Sequence, residues 1–244
     1  MDRAAYDRMA EIDGTHWWFA ARRQIITDLI RRRVAPPKSA RILEVGCGTG
    51  SNIAMLQQFG AVDALEPDDG AREWAMQRSG LAIQGGFLPE DGDRIAGAAY
   101  DMIVLLDVLE HIPQDGPALA TLREKLAPGG RILLTVPAMR WLWSAHDAVH
   151  HHQRRYTRAG LRKVVEDAGF RISYISYFNT LLFPLVVAAR AVGKLTGREG
   201  GDDAMPGGLV NRVLKGLFAS ERHWLVRGAF PVGVSLACVA EPIR

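Results

Sequence analysis

At 244 residues, 48% of them hydrophobic and 23% charged, the chain has the make-up of an ordinary globular protein with room for one large α/β domain. Its formal charge of +3 is too small and too dispersed for a dedicated nucleic-acid binder. Cys47 and Cys238 match no zinc spacing, the N-terminus is charged, and no apolar run reaches the ~20 residues of a membrane span. These features lead us to expect a cytoplasmic protein, attached at most to the inner face of a membrane.

In chain order, Arg22 to Val34 reads as a helix stopped by Pro36-Pro37. ARILEVG (Ala40 to Gly46) is a buried strand, followed by a helix from Ser51 to Phe59. AVDALEP is the second strand, Asp69 to Ser79 a helix, and LAIQGG a third strand. YDMIVLLD (Tyr100 to Asp107) is the fourth. A helix over Pro117 to Leu126 ends at Pro128-Gly129-Gly130, and RILLTVPA is the fifth strand. Leu161 to Ala168 is helical, FRISYISYF is the sixth strand and VGVSLACVAEP the seventh.

Alternation of helices with strands that are apolar on both faces predicts an α/β, Rossmann-like fold. Its sheet is expected to have seven strands, mostly parallel, with helices on both faces. A helical insertion, residues 179–231, falls between strands six and seven, with apolar stretches at Leu181–Val192 and Leu209–Phe218 joined by GREGGDDAMPGG. We expect one domain over 1–244, with residues 1–38 as an N-terminal helical lid.

In EVGCGTGSN, Gly46 and Gly48 sit between a strand and a helix, where the backbone must turn sharply and a ligand must come close. Glu66, twenty residues after Gly46, can accept two hydrogen bonds from a ribose diol. That pairing suits any adenosine cofactor, nicotinamide dinucleotides included. Two details favour S-adenosylmethionine: Ser51 stands where a dinucleotide fingerprint has its third glycine, and Glu44 adds negative charge awkward beside a pyrophosphate.

ILEVGCGTGSN, ALEPD, YDMIVLLDVLEHI and LREKLAPGGRILLTVP together resemble the successive motifs of class I S-adenosylmethionine-dependent methyltransferases. The resemblance implies that Glu44, Gly46 and Gly48 line the methionine moiety, that Glu66 and Pro67 flank the ribose, and that Asp107 and Val108 face the cofactor. The family's polar residue after strand three is missing. Gly86 and Phe87 stand there, so backbone groups and Phe87 packing are expected to hold the adenine.

Asp107, Glu110 and His111 would share one helical face. Ubiquinone-pathway and small-RNA methyltransferases hold a divalent metal with a similar cluster, whereas in metal-free members such side chains cap the helix. The expectation here is no metal. HWWFAARR (His16 to Arg23) reads either as a staple to the core or as a lid in which Trp17, Arg22 and Arg23 meet the substrate.

HWWFAARRQII, WLWSAHDAVHHHQRRYT and AGFRISYISYFNTLLFP resemble methyltransferases associated with bacterial surface-glycan and lipid-linked saccharide pathways. The segment after strand five lies where open α/β folds place ligands. His152 or His146, with His111 nearby, could take a proton from a hydroxyl acceptor, since imidazole is neutral in part at cellular pH. Trp143, Arg154, Arg155 and Tyr156 are the expected acceptor contacts, the arginines as forked donors to an anion. A solvated basic loop is the plain alternative. Zinc on His150–His152 is disfavoured because adjacent side chains diverge.

The insertion is unusually apolar and carries Arg190, Lys194, Arg198, Arg212, Lys215, Arg222 and Arg227. It fits a lid, a second subunit in a homodimer, or peripheral membrane contact equally well. The leading expectation is a methyltransferase using S-adenosylmethionine on an oxygen of a small or lipid-linked, saccharide-like acceptor. The alternatives are a metal-dependent small-metabolite O- or N-methyltransferase, a nicotinamide oxidoreductase, and a non-catalytic cofactor-binding subunit that recruits a partner.

Overall fold

The computed structural model describes residues 3–97, 99–196 and 205–243, so most of the GREGGDDAMPGG link, residues 197–204, lies outside it. Six strands form one sheet in the order β2-β1-β3-β4-β6-β5. They are β1 (Ala40–Val45), β2 (Gly60–Leu65), β3 (Tyr100–Leu106), β4 (Leu126–Pro137), β5 (Phe170–Phe178) and β6 (Ser235–Pro242). β1 to β4 are parallel, while β6 lies between β4 and β5 and runs antiparallel to both.

The expectation of seven strands is corrected to six. LAIQGG makes a single parallel bridge, Leu65 to Gln84, and then leaves the sheet. Gly85 and Gly86 follow at once, and glycine offers no side chain to pack and loses the most backbone entropy in a strand.

Adjacent strand residues point to opposite faces, and both faces are apolar. Ile42, Met102, Val104, Leu133 and Val239 enter one core, and Leu43, Ile103, Leu105, Leu134 and Cys238 the other. The second core is covered by α5 (Asp115–Lys125) and α7 (Arg158–Asp167), through Leu119, Leu122, Leu161 and Val165.

The first core is covered by α2 (Trp17–Leu29), whose Ala21, Ile25, Ile26 and Leu29 are buried. This helix starts earlier than the periodicity suggests, because the His16 ring caps it by accepting from Trp18 N at 3.3 Å. It runs on through a π-helical turn at Ile30–Val34. Before it lies α1 (Arg3–Ile12). Elsewhere come α3 (Ile53–Leu56), α4 (Asp69–Ser79) and α6 (Ala145–Val149).

Between β5 and β6 lie α8 (Phe183–Thr196), α9 (Gly208–Ser220) and α10 (Arg222–Leu225). α9 packs across α2. The Trp17 ring meets Phe218 edge-on at 5.9 Å, Phe218 stacks on Phe178 at 6.1 Å, and Asn211 Oδ1 accepts from Trp17 N at 2.8 Å. Among the described residues no helix is long and apolar enough to cross a membrane.

Phe218 thus joins three elements and is fully buried. Phe218→Ala should lower stability by about 3–5 kcal/mol, as for other buried aromatic truncations, measured by urea unfolding.

Candidate active site

Register brings the chemistry to one edge of the sheet. Val45 is level with Leu65 on one side and Leu105 on the other, so Gly46, Glu66 and Asp107 all emerge together. The chain leaves β1 toward β2 on one flank and reaches β3 on the other, which makes this the topological switch point where such sheets bind ligands.

Gly46, at φ +67°, lies so close to β3 that an added Cβ would sit 2.7 Å from a Val108 methyl. Gly50, at φ +78°, lies against the Ala75 backbone of α4 in the same way. At Gly48, φ +54°, a Cβ would meet open space among the described residues, so that side can admit a ligand.

Two buried carboxylates face the glycine loop. Glu66 Oε2 accepts from Gly48 N at 2.7 Å, and Oε1 from Asp68 N at 3.0 Å and from the Tyr6 hydroxyl of α1 at 3.5 Å. Burial raises its pKa even against these bonds. Glu44 Oε1 accepts from Asn52 Nδ2 at 3.2 Å, while Oε2 is buried with no hydrogen-bond partner. Burial pushes the Glu44 carboxyl up to about 8. The Pro67 carbonyl accepts from Arg72 Nη1 at 3.5 Å, Gly86 packs on Asp91, and the Phe87 ring stands 64% exposed beside them.

Asp107 adopts φ +60°, an uncommon conformation for a residue other than glycine. Arg22 Nη2 reaches its Oδ2 at 2.7 Å and Thr135 Oγ1 at 2.9 Å, and the Thr135 hydroxyl donates to Asp107 Oδ1 at 3.1 Å. Arg22 is only 5% exposed and lies over the Trp18 ring at 5.0 Å. The expected lid arginine therefore ties α2 to the ends of β3 and β4, and Asp107 faces Arg22.

The histidine segment is held by alternation. Tyr156 makes a lone parallel bridge with Ala138, and Arg154 and Tyr156 turn to one partner and Arg155 to another. Arg154 Nη1 and the Tyr156 hydroxyl both meet Asp115 Oδ2 at 2.7 Å, at the start of α5. Arg155 forks onto Asp147, Nε to Oδ1 at 2.7 Å and Nη2 to Oδ2 at 3.0 Å, and Nη1 reaches the Ala138 carbonyl. Arg155 is 6% exposed and committed to protein partners, so its expected clamp on an acceptor anion gives way to a clamp on the loop.

Asp147 is the centre of that clamp. It also accepts from Ser144 N at 2.9 Å, and its Oδ1 lies 2.8 Å from His152 Nδ1. Burial pushes its carboxyl up, but the bonds from His152 and Arg155 prevail and hold it well below the usual carboxylate range.

Glu110 and His111 also lie beside His152, and one potential ligand atom from each of the three lies within 4.8 Å of the others. Glu110 is fully buried and neither carboxylate oxygen has a hydrogen-bond partner. Its pKa is raised well above the usual value by burial and by the Asp107 charge. Burial, followed by the neighbouring His152, pulls His111 down to about 3, so its imidazole is neutral.

The remaining expected residues are dispersed. Trp17 belongs to the α2–α9 contact, and Arg23 donates to the Asp13 carbonyl at 2.5 Å. Trp143 is 39% exposed near the Asp147 loop, and His146 lies in α6 with its side chain outside the described ones. Sequence reasoning missed Tyr6 and Asp13. Asp13 is buried between Arg78 Nη1, at 2.6 Å, and Thr49 Oγ1, at 3.2 Å, and so ties the N-terminal segment to α4 and the glycine loop. Neither stands in a motif that could have singled it out.

A family model described as a methyltransferase domain matches residues 18–175, more than half of the chain. The ubiquinone biosynthesis O-methyltransferase of Caulobacter sp. (strain K31) is 28% identical over 106 residues, 41% of each chain. The mitochondrial one of Schizosaccharomyces pombe is 29% identical over 126 residues, 49% of this chain and 46% of that protein. The chain thus spans less than half the length of these curated relatives. A SAM dependent methyltransferase from Archaeoglobus fulgidus superposes with a TM-score of 0.56 at 17% identity, covering 89% of this chain and 93% of the other. Phosphoethanolamine N-methyltransferase 2 of Haemonchus contortus, in complex with S-adenosyl-L-methionine, gives 0.55 at 17%, covering 90% and 52%. The structural likeness establishes a shared fold; with the glycine loop at the switch point and the extended family match, the chain belongs to the methyltransferase-domain family.

Proposed function

We propose that the chain is an S-adenosylmethionine-dependent O-methyltransferase whose acceptor is a small or lipid-linked, saccharide-like hydroxyl compound. One observation carries the chemistry: His152, with Nδ1 on the buried Asp147 carboxylate, stands beyond the same strand ends as the Gly46–Gly48 loop. The O-methyltransferase relatives support oxygen as the acceptor atom. The saccharide class rests on the resemblance of the HWWFAARR and HHHQRRYT segments.

The residues fit the cofactor. Glu44 has a buried oxygen that lacks a partner, which a cationic ligand group satisfies, and Glu66 keeps lone pairs for a ribose diol. Gly48 leaves open space between them, and the exposed Phe87 ring offers an apolar face for a base. S-adenosylmethionine supplies an electrophilic methyl group on a sulfonium sulfur. The chain's part is alignment and proton removal. Asp147, kept ionised by Arg155, accepts the Nδ1 proton of His152, which leaves Nε2 with the lone pair that takes the acceptor hydroxyl's proton. Arg22 and Thr135 hold Asp107 at the neighbouring strand end.

Binding should be proton-linked. The folded Glu44 carboxyl stands at about 8, above the ~4.5 of an exposed glutamate, so its burial costs stability increasingly as pH rises between those values. A cationic ligand favours the ionised form. Affinity for S-adenosylmethionine should therefore rise with pH up to about 8 and then level off, with proton uptake by the buffer seen calorimetrically at pH 6–7. Glu44→Gln should remove that linkage, and a chain that binds neither S-adenosylmethionine nor S-adenosylhomocysteine would end the proposal.

His152→Ala should lower kcat by roughly 10²–10⁴-fold, the usual worth of a general base, with cofactor affinity unchanged. Asp147→Asn should lower kcat as well and also destabilise the fold, since Arg155 loses its buried counter-charge. Breaking such a pair costs about 3–5 kcal/mol, measurable as a fall in Tm.

A second reading is favoured by Glu110, whose two buried oxygens have no partner beside two imidazoles. Here a divalent cation is held by Glu110, His111 and His152, with His152 in place of the expected Asp107, which Arg22 and Thr135 engage. One carboxylate with two imidazoles suits zinc, iron or manganese. Full activity after exhaustive chelation leaves His152 as the base; loss restored by one of these metals makes it a ligand.

A further inference from the structure

We infer that α8 and α9 form a docking face for an anionic lipid bilayer. α8 is an apolar helix, FPLVVAARAVGKLT, yet none of its described side chains is buried. Leu185, Ala188, Ala189 and Val192, at i, i+3, i+4 and i+7, are all exposed, so one helical stripe of α8 is apolar and faces outward.

α9 divides its apolar residues between two sides. Leu214 and Phe218 turn inward to α2 beside Asn211, whereas Leu209, Val213 and Leu217 turn outward. Leu209 is 73% and Val213 59% exposed. An outward apolar stripe on each of two successive helices is more than the scattered exposure normal for a globular surface.

Charge selects the occupant. The charged residues within α8 and α9 are Arg190, Lys194, Arg212 and Lys215, all cationic; the acids Glu199, Asp202 and Asp203 belong to the link, outside the described residues. Apolar stripes on two helices whose own charges are all positive match acyl chains below a layer of anionic headgroups. The self-complementary alternative, a second copy, would bring these cations against one another.

The two helices meet at a buried carboxylate. Glu221 Oε1, just after α9, accepts from Thr180 N at 2.7 Å and Leu181 N at 2.8 Å, just before α8. At the same end Phe183 meets the Trp141 ring at 6.0 Å, and Trp141 is 54% exposed on the loop that leads to Asp147 and His152. The start of α8 therefore touches the loop that leads to Asp147 and His152. The lipid-linked half of the acceptor class rests on the O-methyltransferase reading; the bilayer contact itself does not.

Flotation of the whole chain with liposomes, without cofactor or acceptor, tests the contact. With equal parts phosphatidylglycerol and phosphatidylcholine, the chain should float, and it should float far less with phosphatidylcholine alone or at high salt. Leu185→Glu combined with Val213→Glu should reduce the partition coefficient by tenfold or more, and Arg212→Ala with Lys215→Ala should reduce it on anionic vesicles only. Unchanged near-ultraviolet circular dichroism in these variants separates loss of docking from loss of fold. Equal recovery of wild type and the glutamate variant, no flotation at all, or a dimer that the glutamate variant dissolves would each overturn the inference. S-adenosylhomocysteine affinity, measured separately, should not change in the variants, so failure of docking and failure of the methyltransferase reading give different results.

Discussion

The organisation of this end of the sheet follows from a single constraint: carboxylates placed where water cannot reach them must find positive charge, donors or protons. Glu44, Glu66 and Glu110 are each no more than 3% exposed, and all stand at or just beyond the ends of β1, β2 and β3. Each meets the constraint differently. Glu66 takes backbone N–H groups from the glycine loop and α4. Glu44 has one amide partner and a raised pKa, and the Glu110 carboxylate has no hydrogen-bond partner among the described residues. The incompletely satisfied groups are those that a cationic ligand would complete, and incomplete satisfaction of this kind marks functional sites more often than structural ones.

The two arginines show the other solution. Arg22 is carried by α2 to Asp107, and Arg155 is carried by the extended segment after α6 to Asp147. Both guanidiniums are buried, and both bind a carboxylate together with a neutral oxygen, of Thr135 or of Ala138. Arg155 does so as a fork and Arg22 through Nη2 alone, and a planar guanidinium fixes geometry in a way that an ammonium on a flexible stem does not. One pair fastens α2 over the strand ends, and the other aims the His152 ring. The Arg-Arg-Tyr run of the histidine segment therefore builds the wall on which His152 is mounted, with Arg154 and Tyr156 closing onto Asp115 from the opposite side.

The parallel strands were legible in the sequence because they are apolar on both faces, and a run such as YDMIVLL has few other stable settings than a strand between two helical layers. The glycine loop and Glu66 were legible for the same reason. A turn with φ near +60° at alternate positions admits little but glycine, and strand length dictates how far on the next carboxylate falls. LAIQGG reads as a full strand in the sequence because periodicity reports only that residues alternate; it does not report whether a neighbouring strand continues alongside. Periodicity starts α2 too late because its cap, His16, is an unusual one that propensity does not flag.

The sequence by itself determined the strand–helix alternation, the glycine turn with its acidic partner, and the crowding of histidine and arginine into one loop. Only the tertiary structure decided what those side chains meet. Arg22 and Asp107 are 85 residues apart, and Arg155 and Asp147 share no helical face. Whether an arginine awaits an anion or has already spent its donors depends on which backbone folds past it. That is a property of sheet order and register, and local patterns of residue type do not encode it.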